Sequence, residues 1–178
     1  MKIFLLRHAS PDWSRKDIPY DIAPGPELLP KGEKEAAFLA EFLKHEGLTK
    51  LYYSPFERAA KTALIIAAAN GVPAIAERGL TEWRGVDETE HQVRARMRSV
   101  FERTAEESPN VGPIGLVSHG GPIAVLLEEL GMSRDALSPY RKMFDTTNPL
   151  PPAGAWKVER NPVEDRWDFQ LVFTPKVK

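Results

Sequence analysis

The run Lys2-Ile3-Phe4-Leu5-Leu6-Arg7-His8 is apolar from Ile3 to Leu6, with no polar residue to mark a solvent face, and then turns abruptly basic. A strand buried on both faces has this composition, and such strands belong to parallel sheets covered by helices on each side. The same pattern recurs at Leu51 to Tyr53, Ala74 to Ala76 and Ile114 to Val117. Helical periodicity fills the intervals. Lys31 to His45 puts Ala36, Phe38, Leu39, Phe42 and Leu43 on one predicted face and stops at Gly47. Ser54-Pro55-Phe56-Glu57 reads as a capping box with proline at the first helical position, opening an alanine-rich helix to Ala69. Thr89 and Gln92 make a second box, at the head of a helix to Glu107 with Val93, Met97, Val100 and Phe101 inward. A fourth helix runs from Gly121-Pro122 to Leu130-Gly131. The alternation predicts an α/β fold, a three-layer α/β/α arrangement around a mostly parallel central sheet. After a short helix near Ser138 to Phe144, Trp156 to Glu159 and Trp167 to Phe173 alternate more regularly and read as an antiparallel C-terminal hairpin at the sheet edge.

A chain of 178 residues suits one domain, 1–178. It has no cysteine, which removes disulfides, thiolate zinc sites and cysteine nucleophiles and fits a reducing, cytoplasmic setting. Twenty-four basic residues against 25 acidic ones leave a net charge of −1, so no global attraction to nucleic acid or membrane is expected. The run Ile3 to Leu6 is too short for a signal-peptide core or a membrane span. The segment from Ala9 to Pro30 contains Pro11, Pro19, Pro24, Pro26 and Pro30 and is long for a connection inside a compact domain, which marks it as a functional loop.

In open parallel sheets ligands bind beyond the carboxyl ends of the strands. Those ends run into Arg7-His8, into Ser54 with Arg58 beyond it, into Leu80-Thr81-Glu82, and into Ser118-His119-Gly120-Gly121, and all four are predicted to meet on one rim. Arg58 lies in the first turn of its helix, where the macrodipole disfavours a cation unless an anion is held there. Gly120-Gly121-Pro122 offers a second helix start that a ligand can approach closely. Two arginines, two histidines and two helix starts fit a doubly charged, multi-oxygen ligand, and phosphate is the natural candidate. Histidine is the side chain present that can attack phosphorus near neutral pH without an activating base. A carboxylic acid can protonate the leaving oxygen, and Glu82 fits that role if its pKa is raised; Glu57, Glu88 and Asp12 are alternatives on the same rim.

These residues resemble the histidine phosphatase superfamily, the phosphoglycerate-mutase-like proteins. Leu5-Leu6-Arg7-His8-Ala9 is similar to the family's Arg-His-Gly signature, Leu29-Pro30-Lys31-Gly32 to its Leu-Thr-x-x-Gly, and Ser54 to Ala63 to its Ser-x-x-x-Arg-Ala-x-x-Thr-Ala. Leu80-Thr81-Glu82 and Val117-Ser118-His119-Gly120-Gly121 complete the order. The resemblance implies that His8 is the phosphorylated nucleophile, that Arg7, Arg58 and His119 form the phosphate pocket, and that Glu82 is the proton donor, with no metal and no cofactor. Ala9 replaces the family's glycine, a small change if the backbone there avoids positive φ. Pro11 and Ser14 stand where a hydroxyl and an asparagine are usual, leaving Ser14 to donate one hydrogen bond to phosphate. Only five residues separate Glu82 from Glu88-Thr89, where mutases and many phosphatases of the family insert a helical roof. An open site favours hydrolysis, because water reaches the phosphohistidine.

The expected activity is therefore hydrolysis of phosphomonoesters through a phosphohistidine on His8, the partner being a phosphorylated small molecule or a phosphorylated protein. Hydrolysis of protein phosphohistidine, a mutase reaction, a metal hydrolase built on His8, Glu82 and His119, and a non-catalytic phosphate-binding module are the competing readings. His45 and His91 read as structural, and Arg94, Arg96, Arg98 and Arg103 as a solvated face paired to nearby glutamates. Ser54 is accounted for by capping.

Overall fold

In the computed structural model, which describes residues 1–144 and 147–175, six strands form one sheet in the order β3-β2-β4-β1-β5-β6. The strands are β1 (Lys2–Arg7), β2 (Lys50–Tyr53), β3 (Ala74–Ala76), β4 (Ile114–Ser118), β5 (Ala155–Asn161) and β6 (Arg166–Phe173). The helices are α1 (Pro30–His45), α2 (Glu57–Asn70), α3 (Glu90–Val111), α4 (Gly120–Glu129) and α5 (Arg134–Phe144), with one 3₁₀ turn at Arg78–Leu80. β1, β2, β3 and β4 run parallel, and β5 and β6 add the antiparallel edge.

Both faces of the sheet are covered, as the unalternating strands require. Ile3 and Leu5 of β1 join Leu116, Trp156 and the inner residues of α3 and α4, whereas Phe4 and Leu6 join Val117, Leu51 and the inner residues of α1 and α2. Gly115 lets β4 pass beneath this second layer, since a Cβ there would come within 2.5 Å of Leu51 Cδ2. The helix following β1 therefore lies on one face and the helix following β4 on the other, although the two strands are neighbours. That opposition opens a crevice at their carboxyl ends. The pairings Arg7 with Ser118 and Tyr53 with Val117 bring His8, His119 and Ser54 to the same edge.

Two expectations of local structure are corrected. Phe38 is 52% exposed; the buried face of α1 is Ala36, Leu39, Ala40 and Leu43, and Phe38 falls outside that arc. The Ser54 box does not form. α2 begins at Glu57 with Phe56 at its cap and no side-chain capping bond, so Ser54 lies two residues before the cap, where its hydroxyl meets His119 at 2.8 Å and accepts from Phe56 N at 3.4 Å. By contrast, the Thr89–Gln92 box is complete at the head of α3.

The long loop is pinned at its neck. Pro11 bridges Leu28, Asp12 N donates to Glu27 O at 2.8 Å, and Leu29 N donates to Ser10 O at 3.0 Å. Buried Glu35 of α1 holds Ser10 through its amide at 2.8 Å and its hydroxyl at 2.9 Å. Gly32 makes this docking possible, because a Cβ there would stand 2.2 Å from the Ser10 carbonyl oxygen. In an unpacked helix glycine to alanine gains about 1 kcal/mol. Here Gly32→Ala is expected to lower the urea midpoint instead, and a raised midpoint would show that α1 does not rest on the segment after His8.

Candidate active site

His8 follows β1 without a break. Its amide donates to Ser118 O at 3.0 Å and its carbonyl accepts from Ala153 N at 3.1 Å, so β4 and the approach to β5 fix its backbone. Ala9 keeps a negative φ, and its amide donates to Thr62 Oγ1 at 3.0 Å. The His8 ring is fully buried, with Nδ1 2.8 Å from the Ala9 carbonyl. A carbonyl only accepts, so the ring proton sits on Nδ1 and Nε2 presents its lone pair. The Tyr20 hydroxyl donates to that Nε2 at 3.0 Å. The His8 and His119 rings lie 5.2 Å apart.

Arg58, the second residue of α2, is fully buried. Its Nη2 donates both to Glu82 Oε2 and to His119 Nδ1, each at 3.1 Å. A guanidinium has no acceptor, so His119 Nδ1 carries the lone pair and its Nε2–H donates to Ser54 Oγ at 2.8 Å. One amino group thus holds a carboxylate and an imidazole 3.3 Å apart. The Arg58 guanidinium lies 3.8 Å from the Tyr20 ring centre and 5.0 Å from that of Phe56, while its Nε and Nη1 make no hydrogen bond. Gly25, at φ +70°, turns the loop beside it where a Cβ would come within 2.6 Å of Nη1. Arg7, also buried, donates from Nη1 to Leu150 O at 2.9 Å.

Burial lowers the His8 pKa well below 6.5, and His119, Arg58 and Arg7 lower it further against the one bond from Ala9. Burial also lowers His119, more than Glu82 raises it. Desolvation pushes the Glu82 carboxyl up, but His119, the Trp83 amide at 3.0 Å and Arg58 outweigh it and hold the group at about 2. The empty site therefore has two neutral imidazoles and an ionised Glu82. The sequence-based role of Glu82 as an acid requires the opposite shift, and His119, the Trp83 amide and Arg58 together reverse it.

Of the residues singled out in the sequence, His8, Arg58, Glu82 and His119 converge, and Arg7 adjoins them. Ser14 does not: it is exposed, and its hydroxyl donates to Asp12 Oδ1 at 2.6 Å. A Cβ on Gly120 would meet Asn148 Oδ1 at 1.8 Å, so the absence of a side chain there makes room for Asn148. Glu57 is exposed, and Glu88 is held by both arms of Arg96, at 2.5 and 2.9 Å. The arginines of α3 are paired: Arg94 with Glu90 at 2.6 Å, Arg98 with Glu102 at 2.7 Å, and Arg103 with Glu77. Tyr20 and the Ser54–His119 bond escaped the sequence reading. The only local hint of Tyr20 was its place in the long proline-rich loop. His8, Glu82 and His119 could offer metal-ligating atoms within 4.8 Å of one another, yet Arg58 Nη2 already lies against two of them and would oppose a divalent cation.

Buried arginine, two histidines and a carboxylate thus gather at the switch point of a mostly parallel sheet. The chain belongs to the histidine phosphatase superfamily, branch 1, whose profile matches residues 3–91 and 84–147. It is 32% identical over 138 residues, 73% of its length, to phosphoserine phosphatase 1 of Hydrogenobacter thermophilus, and it spans 64% of the length of that curated relative. Its fold is that of the mycobacterial glucosyl-3-phosphoglycerate phosphatase, with a TM-score of 0.76 and 21% identity over 98% of this chain and 99% of that one. A phosphoglycerate mutase from Bacillus anthracis superimposes with a TM-score of 0.76 and 16% identity, over 97% of this chain and 92% of that one.

The depressed histidines have a thermodynamic consequence. Unfolded histidine binds protons below about 6.5 while buried His8 and His119 do not, so the unfolded state gains protons first as pH falls. Their contribution to stability is complete above that range and is lost on acidification. The urea midpoint is expected to fall from pH 7 to pH 5, and His8→Gln is expected to flatten the fall. An identical pH dependence in the variant would contradict the burial of neutral His8.

Proposed function

We propose that the protein hydrolyses phosphomonoesters of small molecules through a phosphohistidine on His8. One observation carries the reading: the lone pair of His8 Nε2 and a buried guanidinium with two unbonded nitrogens both lie against one side chain, Tyr20. An imidazole lone pair beside unsatisfied cationic donors suits attack on an oxyanion's central atom.

Arg58 and Arg7 hold the phosphoryl oxygens, and His119, whose Nδ1 accepts from Arg58, orients that guanidinium. His8 Nε2 attacks phosphorus in line, the phosphorus–oxygen bond to the leaving group breaks, and its electron pair stays on that oxygen, which takes a proton from Glu82. Water then attacks the phosphohistidine, returning a proton to Glu82 and releasing phosphate and His8. The proton on Glu82 arrives with the substrate. A phosphoryl group adds negative charge beside the carboxylate and draws Arg58 from it, both of which raise the Glu82 pKa, and the ester's monoanion, whose own pKa is near 6, supplies the proton.

Glu82 lines a cavity of about 490 Å³ together with Asp21, Phe56, Thr81, Arg84 and Asp87. A leaving group protonated by Glu82 lies in that cavity, whose size suits a small molecule and whose wall carries charges of both signs. Small polar alcohols, including those with an amino or carboxylate group, fit this lining; the matched relative is named a phosphoserine phosphatase. No inserted helix roofs the cavity between Glu82 and Glu88, and Val86 is 82% exposed. Water reaches such a site, which favours hydrolysis over return of the phosphoryl group to a second hydroxyl.

With p-nitrophenyl phosphate in EDTA, turnover is expected to peak on the acid side of neutrality, where His8 is neutral and the Glu82–ester pair still shares a proton. His8→Ala is expected to abolish both turnover and acid-labile labelling, and loss of activity on chelation would favour the metal reading. Arg58→Ala is expected to lower kcat/KM by roughly 10² to 10³, about 2.7 to 4 kcal/mol, as when one preorganised oxyanion donor is removed. Glu82→Gln should slow alkyl phosphates far more than p-nitrophenyl phosphate, whose leaving anion needs little protonation; equal slowing would remove Glu82 as the acid. Isomer formation exceeding phosphate release would replace hydrolase by mutase.

A further inference from the structure

In-line attack requires phosphorus about 3 to 3.5 Å from the nucleophilic atom. In the structure the point 3.0 Å from His8 Nε2 is taken by the Tyr20 hydroxyl. The same side chain lays its ring 3.8 Å from the guanidinium carbon of Arg58. One residue therefore satisfies, weakly, both groups that the phosphoryl group would satisfy strongly: a neutral hydroxyl on the nucleophile, and a π-face on a buried cation.

Burial raises the Tyr20 pKa, so the hydroxyl is a donor and the contact to Nε2 is a hydrogen bond between neutral groups. The loop that carries Tyr20 is lightly packed at its tip. Its neck is held at residues 10–12 and 27–29 and its return limb by Glu57 N donating to Pro24 O at 2.8 Å, whereas from Trp13 to Pro24 no residue is fully buried and Tyr20 is half-buried. Beyond His8 and Arg58, the Tyr20 ring rests on Trp13, stacked at 4.8 Å and 19°, and Trp13 is itself 48% exposed. Segments with few buried apolar contacts open at low free energy.

We propose that Tyr20 is a displaceable stand-in for the phosphoryl group, holding His8 Nε2 and Arg58 while the site is empty and competing with both substrate and released phosphate for it. The inference rests on the phosphatase reading but adds to it a positioning residue outside the motifs that define the site. Because its occupant is attached to the chain, the site need not collapse or fill with misplaced anions between turnovers, and return of Tyr20 opposes retention of phosphate.

The test uses inorganic phosphate as the probe, titrated calorimetrically into wild type, Tyr20→Phe and Tyr20→Leu, with p-nitrophenyl phosphate turnover measured alongside. Removing the hydroxyl removes one neutral hydrogen bond to the competitor, so Tyr20→Phe is expected to bind phosphate roughly three- to tenfold more tightly. Tyr20→Leu, which also removes the ring from Arg58, is expected to bind more tightly still. Phosphate should change the tryptophan fluorescence of wild type, and Trp13→Phe should remove that change, because Trp13 loses its stacking partner when Tyr20 leaves. Unaltered or weaker phosphate binding in Tyr20→Phe, with turnover intact, overturns the inference while leaving the phosphatase reading standing, as does a phosphate-induced signal that survives in Trp13→Phe. No phosphate binding in any of the proteins, together with no turnover, overturns both.

Discussion

The Arg58 charge has no route to water, and that constraint organises everything around it. A buried cation is tolerated when it is paired and hydrogen-bonded. Glu82 supplies the countercharge and His119 a lone pair, both on one amino group, and the Tyr20 and Phe56 rings supply polarisable faces. The arrangement stops short of completion, since Nε and Nη1 keep buried, unbonded N–H groups. Unmade hydrogen bonds to a buried charge are costly, so Arg58 keeps donor capacity that the protein itself leaves unfilled. Lysine could not stand in. A single ammonium point has no planar fork with which to hold carboxylate and imidazole on one arm while two donors stay aimed elsewhere.

Delivery of these groups depends on strand order. β1 and β4 are adjacent and parallel, but their following helices leave on opposite faces, so His8 and His119 emerge into a gap instead of beneath a helix. The third contributor arrives from β2 on the far side of β4, where Ser54 is held by Val117 O at 2.9 Å and steers α2 so that Arg58 points inward. Ser54 then orients His119 through its hydroxyl, and Arg58, which can only donate, sets the tautomer. Backbone ladder, hydroxyl and guanidinium form one chain of cause from sheet register to the protonation state of an imidazole.

The sheet was legible in the sequence because its strands are apolar on both faces, a pattern that needs no tertiary information, and their limits agreed to within a residue or two. His8, Arg58, Glu82 and His119 could be assembled because each follows a strand whose end the topology brings to one rim. What failed was local logic that tertiary contacts override. Ser54 and Glu57 have the spacing of a capping box, but α2 starts only at Glu57, and the hydroxyl makes its short bond to an imidazole 65 positions away. Phe38 looked like a core residue by composition, yet small residues at Ala36 and Ala40 let α1 sit close to α2 and leave Phe38 outside. Gly120 reads in the sequence as room for a ligand, and nothing in the sequence shows that Asn148 packs there. Tyr20 was illegible for a simpler reason: loop conformation without periodicity leaves no trace in one sequence of which side chain turns inward.

A site without a fixed roof faces opposing demands. Water must enter to hydrolyse a phosphohistidine, yet an imidazole lone pair and a half-satisfied guanidinium open to solvent between turnovers would be hydrated and would take any passing anion, weakening the electrostatics on which attack depends. A permanent helical insertion meets the second demand at the expense of the first. A tyrosine on a tethered loop meets both in sequence, because it covers the lone pair and the cation while the site is empty and gives way to a ligand of higher charge. Its hold must then be weaker than that of a phosphate monoester and stronger than that of water. A neutral hydroxyl with an aromatic face, resting on one exposed indole, falls within that interval, whereas a carboxylate in its place would bind Arg58 too well to be displaced and an aliphatic side chain would not hold His8 at all.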